Sequence, residues 1–201
     1  MYVKNVYENI ANHFNNTRAY TWPWIDDFLN KLKLYSNVYD IGCGNGRNML
    51  KKNFHFIGID NCVNFVKICK KKNLNVINAN MTKIPLQNNS ADAIICIAVL
   101  HHLANEESRI NALLEMKRLI KQNGKILLSI WSINQPQKTR RKFNSFGNNI
   151  VLWNNNQGMV FERYYYIFKL EEINKLFKKV GLSVINYEYN CGNEIFTLMK
   201  V

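Results

Sequence analysis

The sequence predicts an α/β fold: a doubly wound, mostly parallel seven-stranded sheet with helices on both faces and an antiparallel C-terminal hairpin. Three observations carry this. Strand-like and helix-like segments alternate along the chain, which builds parallel sheets covered by helices. "ADAIICIAVL" is a continuous apolar run, as a central strand buried on both faces requires. The last two apolar segments are separated only by "NCGN", Asn190 to Asn193, a length that suits a hairpin.

The elements follow in order. Val6, Tyr7, Ile10, Ala11 and Phe14 fall at helical spacing. Pro23 suits a first helical turn and opens a second helix to about Lys33, with Trp24, Phe28, Leu29 and Leu32 on one side. Residues 1–35 thus form a helical cap. "NVYDIG" and "NFHFIGID" read as buried strands, and "NCVNFVKICKKK" as a helix capped by Asn61. "NVIN" is a short strand. "EESRINALLEMKRLIK" is a helix that Gly124 would end. "KILLSIW" is the fifth strand, and 132–160 is a polar loop rich in Asn, Gln, Lys and Arg. "KLEEINKLFKKVG" is an amphipathic helix, and "LSVINYEY" and "NEIFTLMKV" are the closing strands. One domain over 1–201 accounts for the length.

Composition narrows the function. At 47% hydrophobic the chain can bury a sizeable core, and it holds no apolar run long enough to span a bilayer. Its start, "MYVKNVYENI", lacks the apolar core of a signal peptide, so a cytoplasmic location, with access to the nucleus, is expected. Cys43, Cys62, Cys69, Cys96 and Cys191 are scattered, with no CxxC pair, and signal neither a zinc site nor a disulfide framework. No metal is expected. The net charge of +13 suits a polyanion or an acidic protein partner, although Asn- and Lys-rich stretches such as "KKNLNVINAN" also fit a bias toward AT-rich codons.

The chemistry begins at "YDIGCGNGRNML", directly after the first strand, where open α/β sheets bind ligands. Glycine there lets a ligand approach the backbone with no Cβ in the way. The spacing Asp40-x-Gly42-x-Gly44-x-Gly46 differs from the G-x-G-x-x-G of dinucleotide loops. A leading acid with tighter spacing suits a ligand with a cationic amino-acid part, such as S-adenosylmethionine. Asp60 ends the second strand twenty residues on, where a carboxylate can accept ribose hydroxyls. Asn80 can accept from an adenine amino group through its side-chain carbonyl. His101 and His102 end the central strand and face the same crevice.

Together these residues look like a Rossmann-like class I S-adenosylmethionine-dependent methyltransferase. The opening "HFNNTRAYTWP", the segment "IAVLHHLANEESR" and the later "RYYYIFKLEEINKLF" resemble the Trm9/AlkB-homologue-8 family, which methylates the carboxymethyl group on C5 of the tRNA wobble uridine. The resemblance implies a cofactor site of Asp40, Gly42, Cys43, Gly44, Asn45, Gly46, Asp60, Asn61, Asn80, Met81, Ile97 and Ala98, with Tyr7 and Phe14 closing over it. It implies Arg18 and His101 as catalytic residues, and Arg18, Trp22, His101 and His102 around the substrate. It also implies a heterodimer with a small zinc-binding activator of the Trm112 type. Asn80 departs from the Asp usual in the family, and the polar region after Gln135 is shorter than the family's.

An ionised carboxylate acceptor needs no general base, which fits the lack of an obvious base dyad. Arg18 would orient it as a bidentate pair, and Trp22 or His101 would stack on the uracil. Arg140 and Arg141 in "QKTRRKF" are candidate phosphate contacts. Two other readings stay open on these residues. One is a small-molecule O- or C-methyltransferase on the same fold. The other is a non-catalytic tRNA- or partner-binding module.

Overall fold

The computed structural model describes residues 2–18, 20–139, 142–154 and 158–201. Arg140 and Arg141 lie outside them. Helices α1 (Tyr2–Thr17) and α2 (Pro23–Leu29) precede the sheet. The main sheet holds β1 (Asn37–Ile41), β2 (His55–Asp60), β3 (Val76–Asn78), β4 (Ala91–Ile97), β5 (Ile120–Trp131), β8 (Leu182–Asn190) and β9 (Asn193–Lys200). Helices α3 (Val63–Lys71), α4 (Glu106–Leu119) and α5 (Leu170–Lys179) connect its strands. The strand order is β3-β2-β1-β4-β5-β9-β8, so the order reverses between β1 and β4. β1 runs parallel to both β2 and β4, with Asp40 opposite Gly58 on one side and Ile95 on the other. Only β9 runs antiparallel to its neighbours, as the hairpin turn dictates. That turn places Cys191 at φ 46° and Gly192 at φ 82°, the two left-handed residues of a two-residue hairpin loop.

Residues explain the layers. β4 carries Ala91, Ala93, Ile94, Ile95 and Cys96 with no exposure, so both faces of the sheet are covered along it. One face packs Ile94 and Ile126 under Leu113, Met116, Ile173 and Phe177 of α4 and α5. The other packs Val38, Ala93 and Leu127 under Trp24, Ile25, Phe28 and Leu29 of α2. Helix α4 starts at Asn105, whose side chain accepts from the Ser108 N–H at 2.8 Å, and Glu106 and Glu107 complement its N-terminal partial charge.

Four expectations need correction. Helix α2 ends at Leu29, four residues short of Lys33. Gly124 does not end α4: the chain turns straight into β5 at Ile120, and Gly124 sits within that strand, where a Cβ would meet Asp92 O at 2.8 Å. Asn61 does not cap α3. Glu8 of α1 does so across space, accepting from Val63 N at 2.6 Å and Asn64 N at 2.9 Å. Finally, the polar stretch is not a loop throughout. β6 (Gly147–Asn154) and β7 (Val160–Ile167) form an antiparallel hairpin outside the main sheet. On β7, Arg163, Tyr165 and Ile167 alternate inward and are buried. This hairpin rests on α1 and on the single turn Leu100–His102 that follows β4, where Tyr164 O, Tyr165 and Trp153 make the contacts described below.

Candidate active site

The glycine loop leaves β1 at the point where strand order reverses, the place such sheets reserve for ligands. Its path is fixed from β2. Gly42 N and Cys43 N donate to Ile59 O at 2.7 and 3.1 Å. Asp60 accepts from Gly44 N at 2.8 Å through one oxygen and from Cys62 N at 2.9 Å through the other. Gly42 at φ 76° also lies so close to Val99 that a Cβ would collide with its methyls. Gly44, at φ 54°, faces the Phe14 ring, which would sit 3.8 Å from an added Cβ. Phe14 therefore lies against the loop.

Two carboxyls beneath the loop are electrostatically strained. Asp40 is buried, with one oxygen receiving Asn48 Nδ2 at 3.4 Å and the other making no hydrogen bond. Burial pushes its pKa up to about 7, against a lowering by Asn48 and with a further rise from Asp60. Burial likewise lifts Asp60 to about 6, against its hydrogen bonds from Cys62 and Gly44. A buried acceptor without a donor is costly. A cationic amino group is the partner that would relieve it. This fits the amino-acid end of S-adenosylmethionine at Asp40, while Asp60 keeps a second lone pair on each oxygen for ribose hydroxyls.

The remaining cofactor candidates surround this pair. Asn45 is buried and ties the loop to α1 and the residue after it, donating to Asn15 Oδ1 at 3.3 Å and to Arg18 O at 2.9 Å. Gly46, at φ 74°, starts the short Arg47–Met49 turn. Asn61 is exposed beside Asp60. Asn80 is exposed, and its Oδ1 accepts from Thr82 N at 3.1 Å, leaving one lone pair for an adenine. Met81 is buried next to it. Ile97 ends β4 and Ala98 follows it, both half-buried, Ala98 at φ 58° with its N–H held by Ser129 O at 3.0 Å.

Above the loop stands an aromatic cluster that the sequence reading only partly named. Tyr7 Oη meets His102 Nε2 at 3.0 Å, and His102 Nδ1 meets Tyr164 O at 2.9 Å. The carbonyl can only accept, so Nδ1 carries the proton and Nε2 accepts from Tyr7. Burial first, then the Arg163 charge, hold the His102 pKa down at about 4 despite the Tyr164 carbonyl, keeping the ring neutral. The Tyr165 ring lies 4.6 Å from His102, 5.1 Å from His101 and 4.3 Å from Trp131, on which it stacks. Trp153 donates to His13 Nδ1 at 3.1 Å and lies 6.3 Å from Phe14. The Arg18 and Arg163 guanidiniums sit 5.5 and 4.4 Å from the same Trp153 ring.

Two proposed substrate residues fall elsewhere than expected. His101 has no exposure, lies beneath His102 and Tyr165, and takes the Trp131 N–H on Nδ1 at 3.1 Å. It has no open face on which a base could stack. Trp22 packs on Trp24 at the start of α2, 6.2 Å ring to ring, and makes no ring contact with the cluster among the described residues. Trp131, Trp153, Arg163 and Tyr165 were missed. The inward alternation of "VFERYYYI" was the signal that could have found two of them.

Comparison with known proteins agrees with this geometry. A "Methyltransferase domain" family model matches residues 39–128, from the glycine loop's strand to β5. A tRNA (carboxymethyluridine(34)-5-O)-methyltransferase from Schizosaccharomyces pombe is 33% identical across 96% of this chain and 93% of its own. The ALKBH8 enzyme of that same name from Xenopus tropicalis is 41% identical over 70% of this chain, which is 22% of its own length. A "Probable tRNA methyltransferase 9B" from mouse is 33% identical over 70% of this chain and 32% of its own. Among solved structures, an S-adenosylmethionine-dependent methyltransferase from Clostridium acetobutylicum superposes with a TM-score of 0.73 at 14% identity, covering 96% and 98% of the two chains. One from Methanosarcina mazei gives 0.71 at 16%, over 90% and 98%. The near full-length match settles what the loop, the carboxyl pair and the sheet order had narrowed: this chain belongs to the tRNA (carboxymethyluridine(34)-5-O)-methyltransferase family and is an S-adenosylmethionine-dependent methyltransferase.

Proposed function

We propose that the chain methylates the carboxyl oxygen of 5-carboxymethyluridine at the wobble position of tRNA. The observation that carries this is the approach of two guanidiniums, Arg18 and Arg163, to the Trp153 ring above the glycine loop. His102 is neutral and engaged on both ring nitrogens, and so is poorly placed to take a proton. A carboxylate acceptor arrives ionised and asks for none. Bound S-adenosylmethionine would supply an activated sulfonium methyl. The protein's share is then placement of the acceptor oxygen in line with that methyl, an effect on the order of 7–11 kcal/mol. Arg18 orients the carboxylate more than it stabilises it, because the attacking oxygen loses charge in the transition state.

A Trm112-type activator belongs to this proposal. The main sheet ends in two edges, β3 and β8. β8 exposes Val184, Ile185, Tyr187 and Tyr189, an apolar surface of the kind a partner covers. The experiment is methyl transfer from labelled cofactor to tRNA bearing 5-carboxymethyluridine, with and without a Trm112-like subunit. Label entering that tRNA, and not tRNA with unmodified uridine, is expected. Absence of transfer under both conditions would refute the proposal.

A further inference from the structure

Among the described residues two arginines are buried, and the fold treats them differently. Arg109, 3% exposed, is fully engaged. Its Nε donates to Leu103 O at 2.9 Å and Nη2 to Ala104 O at 3.1 Å, Glu172 lies 4.0 Å away, and the Tyr166 ring lies 3.4 Å beneath it. Arg163, 6% exposed, has nothing comparable. Its Nε makes no hydrogen bond, and among the described residues no carboxylate lies within ion-pair distance. Among the described residues it has the Trp153 ring at 4.4 Å and the Tyr165 ring at 5.4 Å. The Arg163 charge, after burial, lowers the pKa of Arg18, so the two guanidiniums repel each other.

A buried guanidinium without an anion is unfavourable unless an anion arrives. The position says which one. Arg163 lies inward on β7, next to Tyr165, which packs on His102 at the carboxyl end of β4. It shares the Trp153 ring with Arg18, whose backbone carbonyl is bonded to Asn45 of the glycine loop. Both guanidiniums thus approach one ring, and one of them is tied to the cofactor loop.

We propose that Arg163 is the specificity determinant for an acidic acceptor, its planar fork receiving the carboxylate of the modified base opposite Arg18. This rests on the function proposed above and extends it to a residue on the hairpin. In the reaction the carboxylate oxygen forms a bond to the methyl carbon as the carbon–sulfur bond breaks, and the electron pair stays on sulfur. The products are a neutral ester and a neutral thioether. The charge that Arg163 recognises disappears, so the same residue that selects the substrate releases the product.

The test compares wild type, Arg163→Met and Arg163→Lys in the full chain, with its activator if required. Binding is measured for anticodon stem-loops bearing 5-carboxymethyluridine or its neutral isostere, 5-carbamoylmethyluridine. Phosphate contacts are common to both RNAs and cancel in the ratio. Wild type is expected to prefer the acid by about 10- to 100-fold, the equivalent of a charge-assisted hydrogen bond. Arg163→Met should bring the ratio to within about twofold, and Arg163→Lys should fall between. Cofactor affinity by calorimetry should be unchanged, and the Tm of Arg163→Met should be equal or higher, because an unpaired buried charge has been removed. A retained ratio would overturn the proposal. So would a loss of cofactor affinity, which would assign Arg163 to the cofactor's own carboxylate, or a fall in Tm, which would make it structural. If wild type itself shows no preference for the acid, it is the function proposed above that falls.

Discussion

Asp40 shows how a single residue can be unfavourable for the fold and useful to the site. Its ordinary pKa near 4 rises to about 7 on burial. The folded state therefore holds a proton that the unfolded chain releases between those values. Stability is full below about pH 4 and falls as pH rises toward 7, by up to about 1.4 kcal/mol per unit. Asp60, lifted to about 6, adds to the fall. Asp40→Asn should flatten this decline without abolishing it, as read by urea unfolding at pH 5 and pH 7.5. Equal slopes in the two proteins would show that Asp40 is not strained. The variant should also bind cofactor more weakly, since the amide cannot pair with a cationic amino group.

At the scale of elements, the site depends on α1 being held down. Glu8 caps α3 from a distance and sits at the positive end of its dipole. Burial raises the Glu8 pKa, but the Asn64 and Val63 N–H groups outweigh it and hold the carboxyl below its usual value. Glu8→Ala should cost about 1–2 kcal/mol of stability. It should also weaken cofactor binding, because α1 carries Phe14 against the loop. Unfolding in denaturant measures the first effect and calorimetry the second; an unchanged midpoint would show the cap to be idle. The same contact shows where sequence reading stops. Buried strands such as β4 are legible because every residue must be apolar. A cap supplied across 55 residues is not, since the local sequence offers only Asn61. The β6–β7 hairpin was hidden for another reason. Its strands lie in an Asn-rich stretch, and its inward residues include Trp153, Arg163 and Tyr165 rather than aliphatics. The glycine loop and Asp60 were therefore legible as a cluster, and so was Arg18 beside them, whereas Trp153, Arg163 and Tyr165 of the hairpin were not.

For the whole molecule, the surplus of 27 basic over 14 acidic residues has to be weighed against a composition rich in Asn and Lys. Salt separates the two readings. If Arg140 and Arg141 contact phosphates, replacing both by Ala should weaken tRNA binding and lower the slope of log K against log salt by about 0.7–0.9 per lost contact. An unchanged slope would mean that these two charges are solvated. The central claim is that the acceptor is a carboxylate, and the bond formed distinguishes it from every amine or carbon acceptor. A carboxylate yields a methyl ester, which mild alkali cleaves. Labelled methyl transferred to tRNA should return as volatile methanol after brief treatment with dilute base. Label that stays on the nucleoside would contradict the account.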